Sequence, residues 1–288
     1  MSAELNKKKA IFLKARKKGV AVGAFNFSEV SQLKGIIAAG KKTGQPFIVQ
    51  TSEAESRYLG LDYSYALKTA AEKELGCPLI INQDHGKSFE YIKGAVDAGY
   101  EMVHFDGSKL PLDENIKIAK KVVAYAHKKG VIVEGEVGYL GGSSKIHKEA
   151  LKIRPEDMTH PEEAKGFIEK TGVDLLAIAI GNVHGVCAQM PKLDIKRLSA
   201  IHKELRGRAF LTLHGGSGIP AGQIRKAISE GITKINVNTE LRFAWRSAVE
   251  KSMKINAGEV APPIIMPLAV EEVRKAVEAK MAMFGGKK

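Results

Sequence analysis

The sequence contains only two cysteines, Cys77 and Cys187, and they do not form a CxxC pair. So few cysteines exclude a disulfide-stabilised scaffold and suit a reducing compartment. Long apolar runs are also missing, so no segment is predicted to cross a bilayer, and residues 1–9 lack the apolar core of a signal peptide. We therefore expect a cytoplasmic protein that has no membrane partner.

Acidic residues are scarce relative to basic ones: 32 against 45, which gives a formal net charge of +13. This balance favours anionic partners, either phosphorylated metabolites or nucleic acid. The lysines occur as pairs, such as Lys41-Lys42 and Lys120-Lys121, rather than in a basic arm or tail. Such pairs are typical of solvated helix faces, so we expect no nucleic-acid partner. A non-catalytic binder of sugar phosphates or nucleic acid is the alternative interpretation.

Apolar segments alternate with amphipathic ones along all 288 residues. Strands are predicted at residues 20–26, 46–50, 78–82, 102–106, 131–137, 175–180, 210–213 and 234–237. Helices are predicted at residues 28–42, 63–74, 88–98, 111–129, 161–170, 193–205, 221–229, 240–254 and 268–283. The alternation predicts α/β architecture: parallel βαβ units closed into a (β/α)8 TIM barrel, as a single domain over residues 1–288 with an extra C-terminal helix.

An open doubly wound sheet is the alternative fold. Such a sheet concentrates its polar residues at one switch point, whereas here polar residues and glycines follow most of the predicted strands. A barrel spreads them around one rim and therefore fits better. The connection after the fifth strand, residues 138–158, is too long for a simple turn and predicts a mobile loop.

Three of the 8 histidines follow an apolar run and precede a glycine: His85, His184 and His214. Neutral imidazole is a good zinc ligand, and a catalytic zinc ion typically keeps three protein ligands and one open position. Because the carboxyl ends of barrel strands converge on one face, we expect these histidines to share one ion. His104 lies inside a predicted strand beside Phe105, and we predict a packing role for it.

Carboxylates also follow the predicted strands. Asp84 directly precedes a strand-end histidine and could orient a ligand or move a proton. Asp106 and Glu136 lie at the ends of the fourth and fifth strands. Glu134 and Glu136 alternate within an apolar strand, so both point to one side, where a buried carboxylate needs a cation or a donor. An internal salt bridge with a lysine is the alternative for both glutamates.

Two loops carry a phosphate signal. A glycine-rich turn at residues 215–218 follows the seventh strand, and residues 236–239 follow the eighth. Barrels commonly bind phosphate with these two loops. Glycine lets backbone N–H groups approach an anion closely, and Gly185 would add one beside His184.

Together these motifs resemble the class II, zinc-dependent ketose-bisphosphate aldolases of the fructose- and tagatose-bisphosphate type. The resemblance extends from residue 24 to residue 242. It rests on DHG at 84–86, FDGS at 105–108, VEGEVG at 133–138, AIGNVHG at 179–185, LHGGSG at 213–218 and KINV at 234–237. It implies aldol cleavage of a ketose 1,6-bisphosphate to dihydroxyacetone phosphate and an aldehyde such as glyceraldehyde 3-phosphate, or cleavage of a different ketose 1-phosphate.

The resemblance also implies roles for residues. The three strand-end histidines would ligate zinc, Asp84 would donate a proton to the aldehyde oxygen during condensation, and Asp106 and Glu136 match a second or alternative metal position. Such enzymes bind a monovalent cation, Na⁺ or K⁺, near the phosphate. Arg242 resembles an arginine that reaches the far phosphate from a neighbouring subunit, which implies a homo-oligomer, either a dimer or a tetramer. The implied substrate-binding residues are Asn26, Ser52, Gly185, Gly215, Gly216, Ser217, Asn236, Asn238, Thr239 and Arg242.

The chain departs from the family pattern at several positions, which leaves open the stereochemistry of the substrate and whether it carries two phosphates. Asn82 stands where many relatives have a histidine, and Ser143 and Ser144 stand where they have acidic residues in the long loop. Ala188 replaces a lysine, and Asn238 replaces an aspartate. The acidic residues of that loop include a proposed proton-abstracting base. His147 and Glu149 are the candidates to replace it.

Overall fold

The computed structural model of the protein describes residues 3–147, 149, 151, 153–187 and 189–285. Within them, eight parallel strands close into a barrel in the order β1-β10-β9-β7-β5-β4-β3-β2, which confirms the predicted fold. Two further strands, β6 and β8, form a separate small sheet. In chain order, the strands are β1 (Val22–Asn26), β2 (Phe47–Ser52), β3 (Ile80–Gly86), β4 (Met102–Phe105), β5 (Ile132–Val137), β6 (Gly142–His147), β7 (Leu175–Ile178), β8 (His184–Cys187), β9 (Phe210–Leu213) and β10 (Ile232–Val237).

Helices surround the barrel because both faces of a parallel sheet must be covered. They are α1 (Ala3–Lys18), α2 (Val30–Thr43), α3 (Glu53–Leu59), α4 (Leu61–Leu75), α5 (Phe89–Asp97), α6 (Leu112–Lys128), α7 (Pro161–Thr171), α8 (Ile195–Leu205), α9 (Ala221–Ser229), α10 (Thr239–Ile255), α11 (Pro262–Ile265) and α12 (Pro267–Phe284), with a 3₁₀ turn at Pro155–Asp157. No helix among these is long and apolar enough to span a membrane.

Local sequence signals explain several helix ends. Glu29 caps α2 by accepting the N–H groups of Ser31 and Gln32, and the helix ends at Gly44 in the left-handed conformation. The helix predicted at residues 63–74 begins two residues earlier as α4, and the shorter α3 precedes it. Gly60, with φ of 91°, separates the two helices.

Helix α1 closes the amino-terminal end of the barrel and was not predicted. Its buried residues Leu5 and Phe12 pack with strand residues such as Val22 and Phe210 in a small apolar cluster. The larger apolar cluster lies between the strands and the outer helices. Because one end of the barrel is sealed by apolar side chains, the opposite, carboxyl end is where polar residues can meet a ligand.

The long connection after β5 contains more structure than the sequence predicted. Residues of β6 pair with β8, with Gly142 opposite His184 and His147 opposite Cys187. The mobility of this connection stays a prediction. The predicted domain ends at residues 1 and 288, and the departure at Ala188, lie outside the described residues.

Candidate active site

The carboxyl ends of the barrel strands surround a pocket that brings together the predicted site residues. All of them except Gly216 line it. Gly216 lies behind the wall, where its N–H donates to the carbonyl oxygen of Asn236 at 2.9 Å. Neither His147 nor Glu149, the candidates for the proton-abstracting base, lines the pocket.

The three predicted zinc ligands converge on one place from β3, β8 and the residue after β9. The ring centroid of His85 lies 4.8 Å from that of His184 and 4.6 Å from that of His214, and the last two are 6.2 Å apart. His85 has φ of 52°, a left-handed conformation that is uncommon for a residue other than glycine and often marks a functional site. His85 and His214 can therefore share one ion, whereas His184 lies beside them but outside the groups whose ligand atoms are all within 4.8 Å of one another, so its part in the zinc site stays a prediction.

Hydrogen bonds leave one nitrogen of His85 facing one nitrogen of His214. Asp106 Oδ2 lies 2.9 Å from His85 Nδ1, and Glu134 Oε1 lies 2.7 Å from His214 Nε2. Each carboxylate favours a proton on the nitrogen beside it, so the lone pairs fall on His85 Nε2 and His214 Nδ1, which are 2.9 Å apart. Two acceptors at this distance repel unless a proton or a cation lies between them. The donor set therefore fits a metal ion, with each ring oriented by a carboxylate.

The protonation of the histidines agrees with this fit. Burial, together with the positive charge of its neighbours, lowers the pKa of His184 to about 3. Burial also lowers the pKa of His214 to about 4, although Glu134 opposes the shift. Burial disfavours charge on His85 as well, but Asp84 and Asp106 outweigh it and raise the pKa of that ring. Two of the three rings are thus neutral at pH 7, which is the form that binds a metal.

His104 lies in the centre of this polar cluster, so the predicted packing role was wrong. Its side chain is fully buried, its Nδ1 accepts the backbone N–H of His85 at 3.1 Å, and its Nε2 lies 3.2 Å from Glu136 Oε2. Within the described residues, neither His104 Nε2 nor Glu136 Oε2 completes an aligned hydrogen bond. Side chains alternate along a strand, so Phe105 packs in the outer core and His104 points into the barrel.

Among the residues that the structure describes, possible metal ligands form two overlapping groups, and within each group all ligand atoms lie within 4.8 Å of one another. Burial and the charge of Asp106 raise the pKa of Glu136, whereas His85 outweighs burial and lowers the pKa of Asp106. A cation would relieve the crowding of these two acids. The groups are Asp84 with His85, His104 and His214, and His85 with Asp106 and Glu136.

Asp84 is held by amide side chains. Its Oδ2 accepts from Asn26 Nδ2 at 3.2 Å and Gln50 Nε2 at 3.4 Å, and its Oδ1 accepts from Asn236 Nδ2 at 3.0 Å. Burial opposes ionisation of this carboxyl, but the positive charge of His85 and the other cationic groups around it hold its pKa well below the usual value. The group is therefore rigid and ionised in the metal-free protein.

The glycine turns form an anion cradle beside the histidines. Gly185 and Gly215 have φ of 95° and 63°, and a Cβ on Gly215 would come within 2.0 Å of the carbonyl oxygen of Val183. Only glycine allows the backbone to pass there. The 17-residue α10 has no side-chain cap from Asn238 at its start. Thr239, its first residue, lines the pocket, so the positive end of the helix faces the cradle. These features suit a phosphate group.

Cationic side chains line other parts of the pocket. Lys87 follows β3 and Lys109 lies beyond β4, and in the barrel these strands lie opposite β9 and β10, whose loops form the cradle. Arg242, in the first turn of α10, lines the pocket of its own chain. It was expected to serve a neighbouring subunit, and that expectation stays a prediction.

A closed (β/α)8 barrel with a histidine–carboxylate cluster beside an anion cradle is the architecture of a metal-dependent barrel enzyme for phosphorylated substrates. The family follows from sequence. A family model described as "Fructose-bisphosphate aldolase class-II" matches residues 6–288, so the chain belongs to this family. The protein is an aldolase, that is, a carbon–carbon lyase, and its family is metal-dependent and acts on phosphorylated sugars.

Individual relatives agree with this membership. The chain is 38% identical over 274 residues to the 6-phospho-5-dehydro-2-deoxy-D-gluconate aldolase of Shouchella clausii, covering 94% of this chain and 91% of the relative. It is 36% identical over 280 residues to the fructose-bisphosphate aldolase of Staphylococcus aureus, covering 96% of each.

Solved structures share the fold. The YdjI aldolase from Escherichia coli K12 superposes with a TM-score of 0.82 at 28% identity, and 96% of each chain is covered. The fructose-bisphosphate aldolase of Campylobacter jejuni superposes with a TM-score of 0.83 at 22% identity, covering 99% of this chain and 95% of that one, and supports the fold alone.

Proposed function

We propose that the protein is a zinc-dependent aldolase that cleaves a ketose 1,6-bisphosphate of the fructose or tagatose type. The products would be dihydroxyacetone phosphate and an aldehyde such as glyceraldehyde 3-phosphate. The facing nitrogens of His85 and His214, with His184 beside them, carry this proposal, because zinc prefers imidazole nitrogen and three such ligands leave one open position. Bound zinc would supply Lewis-acid polarisation of the ketose oxygens.

The distribution of cations supports a substrate with an anionic group at each end. The cradle at Ser217 and Thr239 would take one phosphate, and the cationic residues elsewhere in the pocket would take a second anion. Fructose bisphosphate, named for one relative, carries two phosphates, and the substrate named for another is a phosphorylated sugar acid. An aldolase for a sugar-acid phosphate, or for another ketose 1-phosphate, is therefore the second candidate.

Asp84 is the residue proposed to give its proton to the aldehyde oxygen in the condensation direction. Its Oδ1 lies 4.0 Å from His85 Nε2, so the carboxyl group and the proposed zinc position are neighbours. Three amide groups donate to the two carboxylate oxygens and hold the carboxyl in place beside the pocket, where it could move a proton. Asn26 and Asn236, which supply two of those amides, also line the pocket and would contact the substrate.

A coupled assay for dihydroxyacetone phosphate tests the function. The substrates would be fructose and tagatose 1,6-bisphosphates, fructose 1-phosphate and a phosphorylated sugar acid, assayed together with metal analysis. Activity that survives complete removal of zinc would refute the mechanism. Asp84→Ala should retain zinc and lose most turnover; if it lost metal equally, Asp84 would have a structural role.

Three further properties belong to this proposal. A monovalent cation, Na⁺ or K⁺, would sit near the bound phosphate, and activity measured in salts of different cations would detect it. A homo-oligomer, a dimer or tetramer, is expected, and light scattering measures its mass. Cys77 and Cys187 are both free thiols, which supports a location in the reducing cytoplasm.

A further inference from the structure

A buried carboxylate that the proposed reaction does not use lies behind the pocket wall. Glu55, in the first turn of α3, is 4% exposed. Its Oε2 accepts from Asn26 Nδ2 at 2.9 Å and from the backbone N–H of Ser52 at 2.7 Å. Its Oε1 accepts from Asn238 Nδ2 at 3.1 Å and from Arg242 Nη2 at 2.5 Å. Only the bond to Ser52 belongs to the capping box of α3.

The other three bonds connect neighbouring strand ends. In the barrel, β1 lies between β2 and β10. Glu55 follows β2, Asn26 ends β1, and Asn238 and Arg242 follow β10. All three partners line the pocket. One carboxylate therefore organises pocket side chains from the ends of two strands other than its own, and a helix cap does not require that.

Arg242 is left with free donors. Its side chain is 38% exposed, and among the hydrogen bonds of the described residues it uses only Nη2, toward Glu55. A guanidinium that a carboxylate holds at one end and that is open at the other is a preorganised receptor for phosphate or carboxylate. Glu55 follows β2, so its bond to Arg242 spans the end of β1 and directs the guanidinium toward β2 rather than toward the cradle loop after β9. The guanidinium can therefore serve a different anionic group.

We propose that Glu55 is a positioning residue that aims Arg242 at the second anionic group of the substrate. This inference rests on the proposed function and extends it. The protein then selects ketose phosphates that carry an anionic group on the aldehyde half.

The measurement is a ratio: kcat/KM for fructose 1,6-bisphosphate divided by that for fructose 1-phosphate, with the zinc-loaded enzyme. Glu55→Gln retains the capping box, since glutamine also caps at this position, but it removes the charge that holds Arg242. We expect Glu55→Gln and Arg242→Met each to lower the ratio about tenfold or more, mainly through KM for the bisphosphate. The double variant should lower it no further than Arg242→Met alone.

A matched ion pair one turn further along α10 supplies the controls. Arg246 and Glu250 pair at 2.7 Å with side chains 74% and 54% exposed, outside the pocket. Arg246→Gln and Glu250→Gln should leave the ratio unchanged. A phosphorylated sugar acid in place of the bisphosphate distinguishes carboxylate from phosphate as the second anion.

Two results would overturn the inference. If Glu55→Gln lowered kcat/KM equally for both sugars, the role of Glu55 would be purely structural. If Glu55→Gln and Arg242→Met left the ratio unchanged while Lys87→Met or Lys109→Met lowered it, the second anion would bind on the opposite side of the pocket. Calorimetric binding of both sugars to zinc-loaded Asp84→Ala repeats the comparison without turnover. Wild-type protein that cleaves none of the sugars in the coupled assay refutes the proposed function. A binding ratio near one in the Asp84→Ala background, or a ratio that Glu55→Gln does not change, refutes the inference.

Discussion

Lys234→Met should destabilise the protein strongly, because this lysine neutralises a carboxylate beneath the active site. Lys234 Nζ lies 3.0 Å from Glu134 Oε2, and both side chains are fully buried. Glu134 also accepts from Thr212 and contacts His214. Burial opposes ionisation of Glu134, but Lys234 and His214 hold the pKa of the carboxyl well below its usual value. Without the ammonium group, a buried carboxylate loses its cation.

The magnitude follows from the burial of both partners. Removing one member of a buried ion pair costs about 3–5 kcal/mol, because the remaining charge stays desolvated. Proteins gain about 2.1 cal/mol/K of unfolding entropy per residue, so a chain of 288 residues gains about 0.6 kcal/mol/K. The melting temperature of Lys234→Met should therefore fall by about 5–8 °C.

Differential scanning calorimetry of the metal-free protein measures this shift. Lys41→Met is the matched control, since Lys41 pairs with Glu74 at 2.8 Å but the two side chains are 44% and 58% exposed. An exposed pair contributes less than about 1 kcal/mol. Combining Lys234→Met with Glu134→Met should recover much of the loss, because neither charge of the pair is then left buried without its partner. A melting temperature for Lys234→Met within about 1 °C of the control would refute the reasoning.

Two further variants test the electrostatics on either side of the barrel. Glu134→Gln should weaken zinc binding about 10–100-fold in a chelator competition, because the carboxylate orients His214. Thr212→Val, which leaves that contact intact, is the control. Equal zinc affinities of the two variants would contradict the assignment. Asp174, 2% exposed, accepts from His127 Nε2 and from a lysine of α1. Burial opposes its ionisation, but these partners outweigh burial and lower its pKa, so its stabilising contribution is present above about pH 4 and is lost as pH falls further. The difference in unfolding free energy between wild type and Asp174→Asn should thus be largest near pH 7 and should shrink below pH 4 in urea titrations; a difference independent of pH would count against it.

The barrel could be predicted because its strands are local apolar runs separated by helix signals. Strand ends were harder to predict. β3 was expected to end at residue 82, yet it runs to Gly86, because Gln83 and Asp84 continue to pair with Thr51 and Ser52 of β2. Polar residues that pair with a neighbouring strand look like a loop when the neighbour is unknown.

Helix α1 was not predicted, for a related reason. Leu5 and Phe12 are its large buried side chains, in a segment rich in lysine. These side chains stabilise the fold by covering one end of the barrel, and that end forms only when the ring of strands has closed. Such a helix depends on tertiary packing more than on its own amphipathic pattern.

The sequence alone determined the βαβ alternation and the three His-Gly motifs at strand ends, because both depend on neighbours within a few residues. Only the tertiary structure decided that His104 points into the cluster, that Lys234 rather than another lysine neutralises Glu134, and that Glu55 reaches Arg242. Those pairs are separated by up to 187 positions along the chain. A buried charge must pair with a group that closure of the barrel brings within hydrogen-bonding distance. Local sequence patterns do not indicate which group that will be.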